Sequence, residues 1–163
     1  MDNNMISKIV TDVVSQIKNE TNPLCITLEQ AKRLAKKVEQ KAQEMGVKAV
    51  VAVSNTAARP VLIECMDDSY IASYDVALNK AYTVVALKMS TITLKGLSQP
   101  GQSLYGIQFT NEGKIVIFGG GDPLIYNGKI IGGLGVSGGS EEQDTELSAY
   151  GASILPEIMK GEI

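Results

Sequence analysis

The stretch FGGGDPLIYNGKIIGGLGVSGGSEEQD, residues Phe118 to Asp144, decides how this chain is interpreted. It holds nine of the sixteen glycines of the chain, and Gly133, Gly135 and Gly138 within it spell G-x-G-x-x-G. That pattern marks a dinucleotide site only inside a strand–helix–strand unit, with an acidic residue about twenty positions later. A helix that begins after Ser140 uses nearly all of the sequence that follows, up to residue 163. We therefore expect no dinucleotide site here.

Two interpretations of these glycines stay open at this point. Residues without a side chain let a helix or another subunit approach a sheet closely. Alternatively, the segment FGGGDP, with Gly119, Gly120, Gly121 and Pro123, exposes backbone N–H groups to a ligand carboxylate or phosphate.

The bulk composition narrows the classes of function. At 163 residues and 44% hydrophobic content, the chain is long enough for one domain with a core and a short appendage. A net charge of -3 and a pI near 5.0 argue against a nucleic-acid partner. The chain has no histidine, which excludes Ser-His-Asp and Cys-His catalysis and histidine-ligated metal or haem.

The compartment follows from what the sequence lacks. Two cysteines, Cys25 and Cys65, are too few for a disulfide framework and suit a reducing cytosol. We expect Cys65 to be a small buried residue, because no basic neighbour is evident to activate it. No apolar run approaches the ~20 residues of a membrane span, and no secretory signal is present. We expect a cytoplasmic protein without a membrane span.

Residues 1–20 form an amphipathic helix by their spacing, followed by a polar linker at residues 21–25. Such a helix is marginal alone and needs a partner. Three partners are possible for this helix: its own domain, a membrane surface, which its non-basic polar face disfavours, or a groove on another protein. The apolar stripe consists of Ile6, Ile9, Val10, Val13, Val14 and Ile17.

The remainder of the chain predicts helices interleaved with hairpins. Capping boxes begin helices at Thr27 and Ser140, and Asn127-Gly128 is the strongest hairpin signal. We expect strands at residues 47–53 and 61–66, two more within 107–118, and two around the Asn127-Gly128 turn. A long helix is expected at residues 70–89, with residues 67–69 as its cap, and a final helix from 140 to about 159. Since antiparallel hairpins dominate, the predicted class is α+β.

Two segments together resemble a known family. These are FGGGDPLIYNGKIIGGLGVSGGSEEQDTELSAYGA, residues 118–152, and DVALNKAYTVVALKMST, residues 75–91. They resemble the GlcG/HbpS/PduO C-terminal-type family, often described as haem-degrading or haem-binding, over about residues 26–158. The resemblance implies a profilin-like domain at residues 26–163, with a five-stranded antiparallel sheet flanked by helices, and homo-oligomers up to octamers. It also implies a haem or corrinoid ligand, since some members bind haem and one branch belongs to a cobalamin adenosyltransferase.

The sequence departs from the family pattern in two of its motifs. Val53-Ser54-Asn55 stands where the family often has Val-Val-Asp, and Cys65-Met66-Asp67-Asp68 where it often has Arg-Met-Asp-Gly. The adenosyltransferase's own ATP- and corrinoid-binding domain is absent from this sequence, so that activity is not transferred. Haem held by histidine does not carry over either, although Tyr, Met or Cys can ligate iron.

The N-terminal helix resembles the encapsulation peptides of bacterial microcompartment cargo proteins. PduO-type proteins belong to such compartments. The resemblance therefore implies that residues 1–20 dock on a shell or cargo protein and that the chain is located inside a microcompartment.

Two charged residues are the leading candidates for a ligand site. Lys80 either snorkels to the surface of its helix or pairs with an anionic ligand group. Asp144 either offsets the dipole of the last helix or orients a ligand beside Gly119–Gly121.

Three functions are compatible with these observations. The first is a non-catalytic, oligomeric binding protein for a tetrapyrrole or corrinoid. The second is a ligand-free structural adaptor whose glycines serve packing only. The third is a cofactor-maintenance enzyme related to cobalamin metabolism, acting through Lys80 or Asp144.

Overall fold

The computed structural model describes residues 5–10 and 25–161. Residues 5–10 are helical and are labelled α1. The other helices are α2 (Leu28–Glu44), α3 (Ile71–Leu87), α4 (Thr91–Leu97), α5 (Glu141–Ser153) and α6 (Leu155–Lys160). The strands are β1 (Val50–Ser54), β2 (Pro60–Cys65), β3 (Gly121–Tyr126) and β4 (Lys129–Ser137).

The strands form one antiparallel sheet in the order β2-β1-β4-β3. Alternate residues of β1 point to opposite faces, as the period of a strand requires. Val51 and Val53 join the main core with α2, α5 and α6. Val50 and Ala52 pack instead against α3, which covers the other face. The α+β class with helices flanking an antiparallel sheet is confirmed.

Local signals placed most of these elements correctly. At both predicted capping boxes the side chain and backbone exchange the expected hydrogen bonds, Thr27 with Gln30 and Ser140 with Gln143. Asn127 and Gly128 have φ values of 47° and 74°, which is the type I′ turn that suits the twist of a two-residue hairpin. The β1–β2 hairpin is also confirmed.

The sheet has four strands among the described residues, so the expectation of five was wrong. Residues 107–118 were predicted as two strands, but they form 3-10 turns at Ile107–Phe109 and Asn111–Gly113, and residues 115–118 belong to no strand. The N–H of Val116 donates to the hydroxyl of Thr83 on α3, at 3.0 Å, instead of to a neighbouring strand. A helix side chain thereby accepts the backbone hydrogen bond that a neighbouring strand would accept in a sheet.

Three smaller expectations also differ from the structure. The helix expected at residues 70–89 is α3, which begins after Tyr70 without any side-chain cap, so residues 67–69 do not cap it. The final helix is divided at Ile154 into α5 and α6. Cys65 is exposed, because it lies at the end of the edge strand β2. No helix among the described residues has the length and apolar character needed to cross a membrane.

The first two glycines of the G-x-G-x-x-G pattern, Gly133 and Gly135, allow close packing between α3 and β4. A Cβ atom at Gly135 would overlap the carbonyl oxygen of Ala77 and lie 2.6 Å from the nitrogen of Ala81. A Cβ atom at Gly133 would lie 2.5 Å from the carbonyl oxygen of Ala81. The backbone of α3 therefore rests on the two glycines, where any side chain would hold the helix away from the sheet.

Candidate functional site

The best-defined cluster of polar groups is a buried ion pair that joins α3 to α5. Lys80 is fully buried and Asp144 is 4% exposed. The Nζ atom of Lys80 lies 2.9 Å from Oδ2 of Asp144 and donates to the carbonyl oxygen of Val136 at 2.7 Å. The other carboxylate oxygen of Asp144 accepts from the N–H of Gly139 at 2.9 Å. Lys80 is thus not a snorkelling surface lysine.

The glycine loop, residues Gly119–Gly121, closes over this pair. A Cβ atom at Gly120 would lie 2.5 Å from Nζ of Lys80 and 2.7 Å from Cβ of Asp144. Gly120 also has a φ of 106°, a conformation that L side chains rarely adopt. The structure therefore brings five of the sequence-predicted site residues together.

Two N–H groups of the glycine loop already have partners within the chain. The N–H of Gly119 donates to Glu141 at 2.8 Å, and that of Gly121 donates to the hydroxyl of Thr91 at 2.9 Å. The sequence interpretation missed both partners. Thr91 lies at the end of the segment that carries the family resemblance, but only the fold shows that it faces the loop. The interpretation of the loop as a ligand cradle stays a prediction.

Pro123, the sixth predicted site residue, lies apart from the pair. It is on β3, half-buried, and opposite Gly133 of β4. Because β3 is at the edge of the sheet, a residue that cannot donate a backbone hydrogen bond is tolerated there.

The chemistry open to Lys80 is limited by its surroundings. Burial lowers the pKa of Lys80 from its usual value of 10.5, while the nearby carboxylate of Asp144 opposes that change. The ring of Phe118, which is 41% exposed, lies 5.0 Å from Nζ and separates the amine from the surface. With Val136, Asp144 and the ring around it, the ammonium group is already fully surrounded.

A groove of about 400 Å³ lies on the outer side of the glycine loop, between α4 and α5. The carboxylate of Glu141 bridges the two helices, since it accepts from Lys95 at 2.5 Å as well as from Gly119. The backbone hydrogen bond from Gly119 and the contact with Lys95 lower the pKa of Glu141. The groove is lined by Ile92, Lys95, Glu141, Glu142, Thr145 and Glu146.

These residues do not fit a haem held at the glycine loop. The groove supplies no Cys, Met or Tyr as an iron ligand, and its three glutamates would repel the propionate groups of a haem. Among the described residues no cluster of three or more Cys, Asp or Glu is placed to hold a metal ion.

The predicted docking helix is described only in part. Ile6, Ile9 and Val10 are exposed, at 44%, 51% and 54% of their surface. These three apolar side chains are therefore exposed to solvent. Val13, Val14 and Ile17 lie outside the described residues, as does the linker apart from Cys25.

Comparisons with known proteins give the chain its relatives. It is 47% identical over 133 residues to a 15.0 kDa protein of the dhaT-dhaS intergenic region of Citrobacter freundii, covering 82% of this chain and 94% of that one. It is 37% identical over 129 residues to the corrinoid adenosyltransferase PduO of Salmonella typhimurium, covering 79% of this chain and 38% of that one. The chain thus spans less than half the length of this second relative.

A solved structure is also similar over nearly the whole domain. The protein chain in the crystal structure of a PduOC–haem complex has 35% sequence identity to this chain and superposes on it with a TM-score of 0.76. The match covers 79% of this chain and 94% of that one. The model of the HbpS-like family, which is described as haem degrading protein HbpS-like, matches residues 26–153. From this match and from these relatives, the chain belongs to the HbpS-like family.

Proposed function

We propose that this chain is a non-catalytic, oligomeric binding or accessory protein for a tetrapyrrole or a corrinoid. The observation that carries the proposal is the similarity to the PduOC–haem complex over 94% of that chain, at a TM-score of 0.76. A shared fold and a sequence identity of 35% favour a shared kind of ligand more than fold alone would.

The state of Lys80 and Asp144 supports binding over catalysis. A general acid or base must reach the proton that it transfers. Lys80 is fully buried, and both oxygens of Asp144 accept hydrogen bonds within the chain. A ligand would contact this pair only after the glycine loop moved, and no proton-transfer role is proposed for either residue.

A haem iron would take its protein ligand from outside the glycine loop. The chain has no histidine, so the ligand would be a Cys, Met or Tyr, either of this chain or of a second copy of it. Cys65 and Tyr70 are both exposed and both line clefts, at the end of β2 and before α3.

The test is an absorption titration of the full chain with haem and, separately, with cobalamin, with native mass spectrometry on the same samples. We expect a saturable change in the Soret or corrinoid bands at one ligand per chain or per pair of chains. The Asp144→Asn variant, once shown to be folded, tests the predicted loop site with cobalamin: weaker cobalamin uptake supports the loop site, and unchanged uptake removes it. A flat titration with both ligands would overturn the binding function.

We further propose that residues 1–20 dock this protein on a shell or cargo protein of a bacterial microcompartment. The exposed apolar side chains of Ile6, Ile9 and Val10 support this, since such a stripe favours burial against a partner.

Replacing all three by serine should abolish co-sedimentation with shell proteins and leave the melting temperature and the oligomer size unchanged. Lys8→Gln, on the same helix, is the control and should keep co-sedimentation. A large drop in melting temperature of the triple variant would instead show that the helix packs on its own domain.

A ligand-free adaptor is the second candidate. The observation that favours it is the use of Gly133 and Gly135 for packing against α3, which leaves them no role in ligand binding. A flat titration together with a single oligomeric species would support this function.

A further inference from the structure

A separate cleft, of about 140 Å³, lies where the β1–β2 turn meets α3 and the segment after the second 3-10 turn. Three stretches of chain that are distant in sequence contribute to it. Its walls include Arg59, Pro60, Leu78, Asn79, Tyr82 and Lys114. Cationic, amide and phenolic groups thus share a small cleft with apolar side chains.

The β1–β2 turn holds the backbone of Arg59 in place. The side-chain oxygen of Asn55 accepts from the N–H groups of Ala57 at 2.9 Å and Arg59 at 3.0 Å. The N–H of Asn55 donates in turn to the carbonyl oxygen of Arg59 at 2.8 Å. Because a short turn with three such bonds has little freedom, the guanidinium group is presented from a fixed base.

The opposite wall is held by two contacts of α3. The hydroxyl of Thr83 accepts from the N–H of Val116 at 3.0 Å, which ties the segment that follows Lys114 to the helix. The side-chain amide of Asn111 donates to the hydroxyl oxygen of Tyr82 at 3.2 Å. Since the oxygen of Tyr82 accepts this bond, its own O–H hydrogen is available as a donor.

Of the two cationic side chains that line the cleft, Lys114 has a carboxylate partner and Arg59 has none in the described part of the chain. Lys114 pairs with Glu112, whose side chain is 82% exposed. Among the described residues no carboxylate pairs with Arg59, so its planar fork of N–H donors has no anionic partner. An arginine fork beside a phenolic donor and apolar walls matches a carboxylate that carries a hydrocarbon chain.

We propose that this cleft binds a small carboxylate with a short apolar chain. The carboxylate pairs with Arg59 and accepts from Tyr82, and the chain lies against Leu78 and Pro60. At about 140 Å³ the cleft is smaller than the roughly 300–1,000 Å³ of a typical pocket for a drug-sized ligand, so it suits a ligand of a few heavy atoms better than a tetrapyrrole. The proposal is therefore independent of the tetrapyrrole function.

The test is a titration of the full chain with butyrate and, separately, with inorganic phosphate, followed by amide chemical shifts in NMR spectra. We expect butyrate to give saturable shifts around Arg59, Tyr82 and Lys114, at a Kd on the order of 1 mM for so small a ligand. Arg59→Gln should weaken butyrate binding at least fivefold, and Arg59→Lys should weaken it less, because the charge stays while the fork is lost. Lys32→Gln, which removes an exposed charge on α2, is the matched control and should leave binding unchanged.

Tyr82→Phe keeps the ring and removes the donor, and it should weaken butyrate binding severalfold. Tighter binding of phosphate than of butyrate would overturn the apolar-chain assignment. Equal losses in Arg59→Gln and Lys32→Gln would show a general charge effect and overturn the site, as would the absence of saturation.

Discussion

Replacing Lys80 by methionine should lower the free energy of unfolding by about 3–5 kcal/mol. The methionine side chain fills similar space, but it leaves the carboxylate of Asp144 buried without its cation. The carbonyl oxygen of Val136 also loses its donor. The measurement is urea denaturation followed by circular dichroism, with wild type and variant compared at the same pH. A loss below about 1 kcal/mol would show that water or a neighbouring group replaces the ammonium.

The double variant Lys80→Met with Asp144→Asn separates the ion pair from packing. The amide keeps an oxygen that accepts from Gly139, but it carries no charge. We therefore expect the double variant to recover a large part of the stability lost by Lys80→Met alone, since removing both charges of a buried pair is far less harmful than removing one. A loss equal to the sum of the two single losses would contradict the coupling seen in the structure.

Replacing Gly135 by alanine should lower the free energy of unfolding by about 3 kcal/mol or more, at or above the upper end of the range for overpacked cores. The added methyl group would overlap the carbonyl oxygen of Ala77, and backbone atoms cannot rotate away as a flexible side chain can. The helix α3 would have to move off the sheet. Thermal and urea denaturation measure the loss.

Gly96→Ala is the matched control for this substitution. Gly96 lies within α4, and a Cβ atom there would meet nothing within 4 Å. Because alanine is the better helix former, we expect Gly96→Ala to leave stability unchanged or raise it by up to about 1 kcal/mol. Similar losses in both variants would show that loss of glycine flexibility, and not the approach of α3, determines the effect at Gly135.

The sequence singled out the residues of the buried cluster, but it did not indicate their geometry, and their role as a ligand site stays a prediction. The segment around Gly119–Gly121, together with Lys80 and Asp144, stood out because of glycine clustering and the family resemblance. The partners of the loop, Thr91 and Glu141, were not recognised. Lys80 and Asp144 are 64 residues apart in the chain, and no local pattern indicates that two such residues meet in the interior.

The sequence by itself determined the features that depend on neighbours along the chain. Both capping boxes and the type I′ turn at Asn127-Gly128 follow from short motifs whose hydrogen bonds close within a few residues. The α+β class follows from the order of the predicted elements, and the family from the resemblance of two segments. Tertiary structure alone decided that α3 packs directly on the glycines of β4 and that Lys80 is buried beneath Gly120. It also decided that Val116, within residues 107–118, forms a hydrogen bond with α3 instead of belonging to a fifth strand. The physical reason is that burial and close approach depend on which surfaces the fold brings together. The residues next to a glycine or a lysine in the sequence do not indicate whether that residue is exposed or packed against another element.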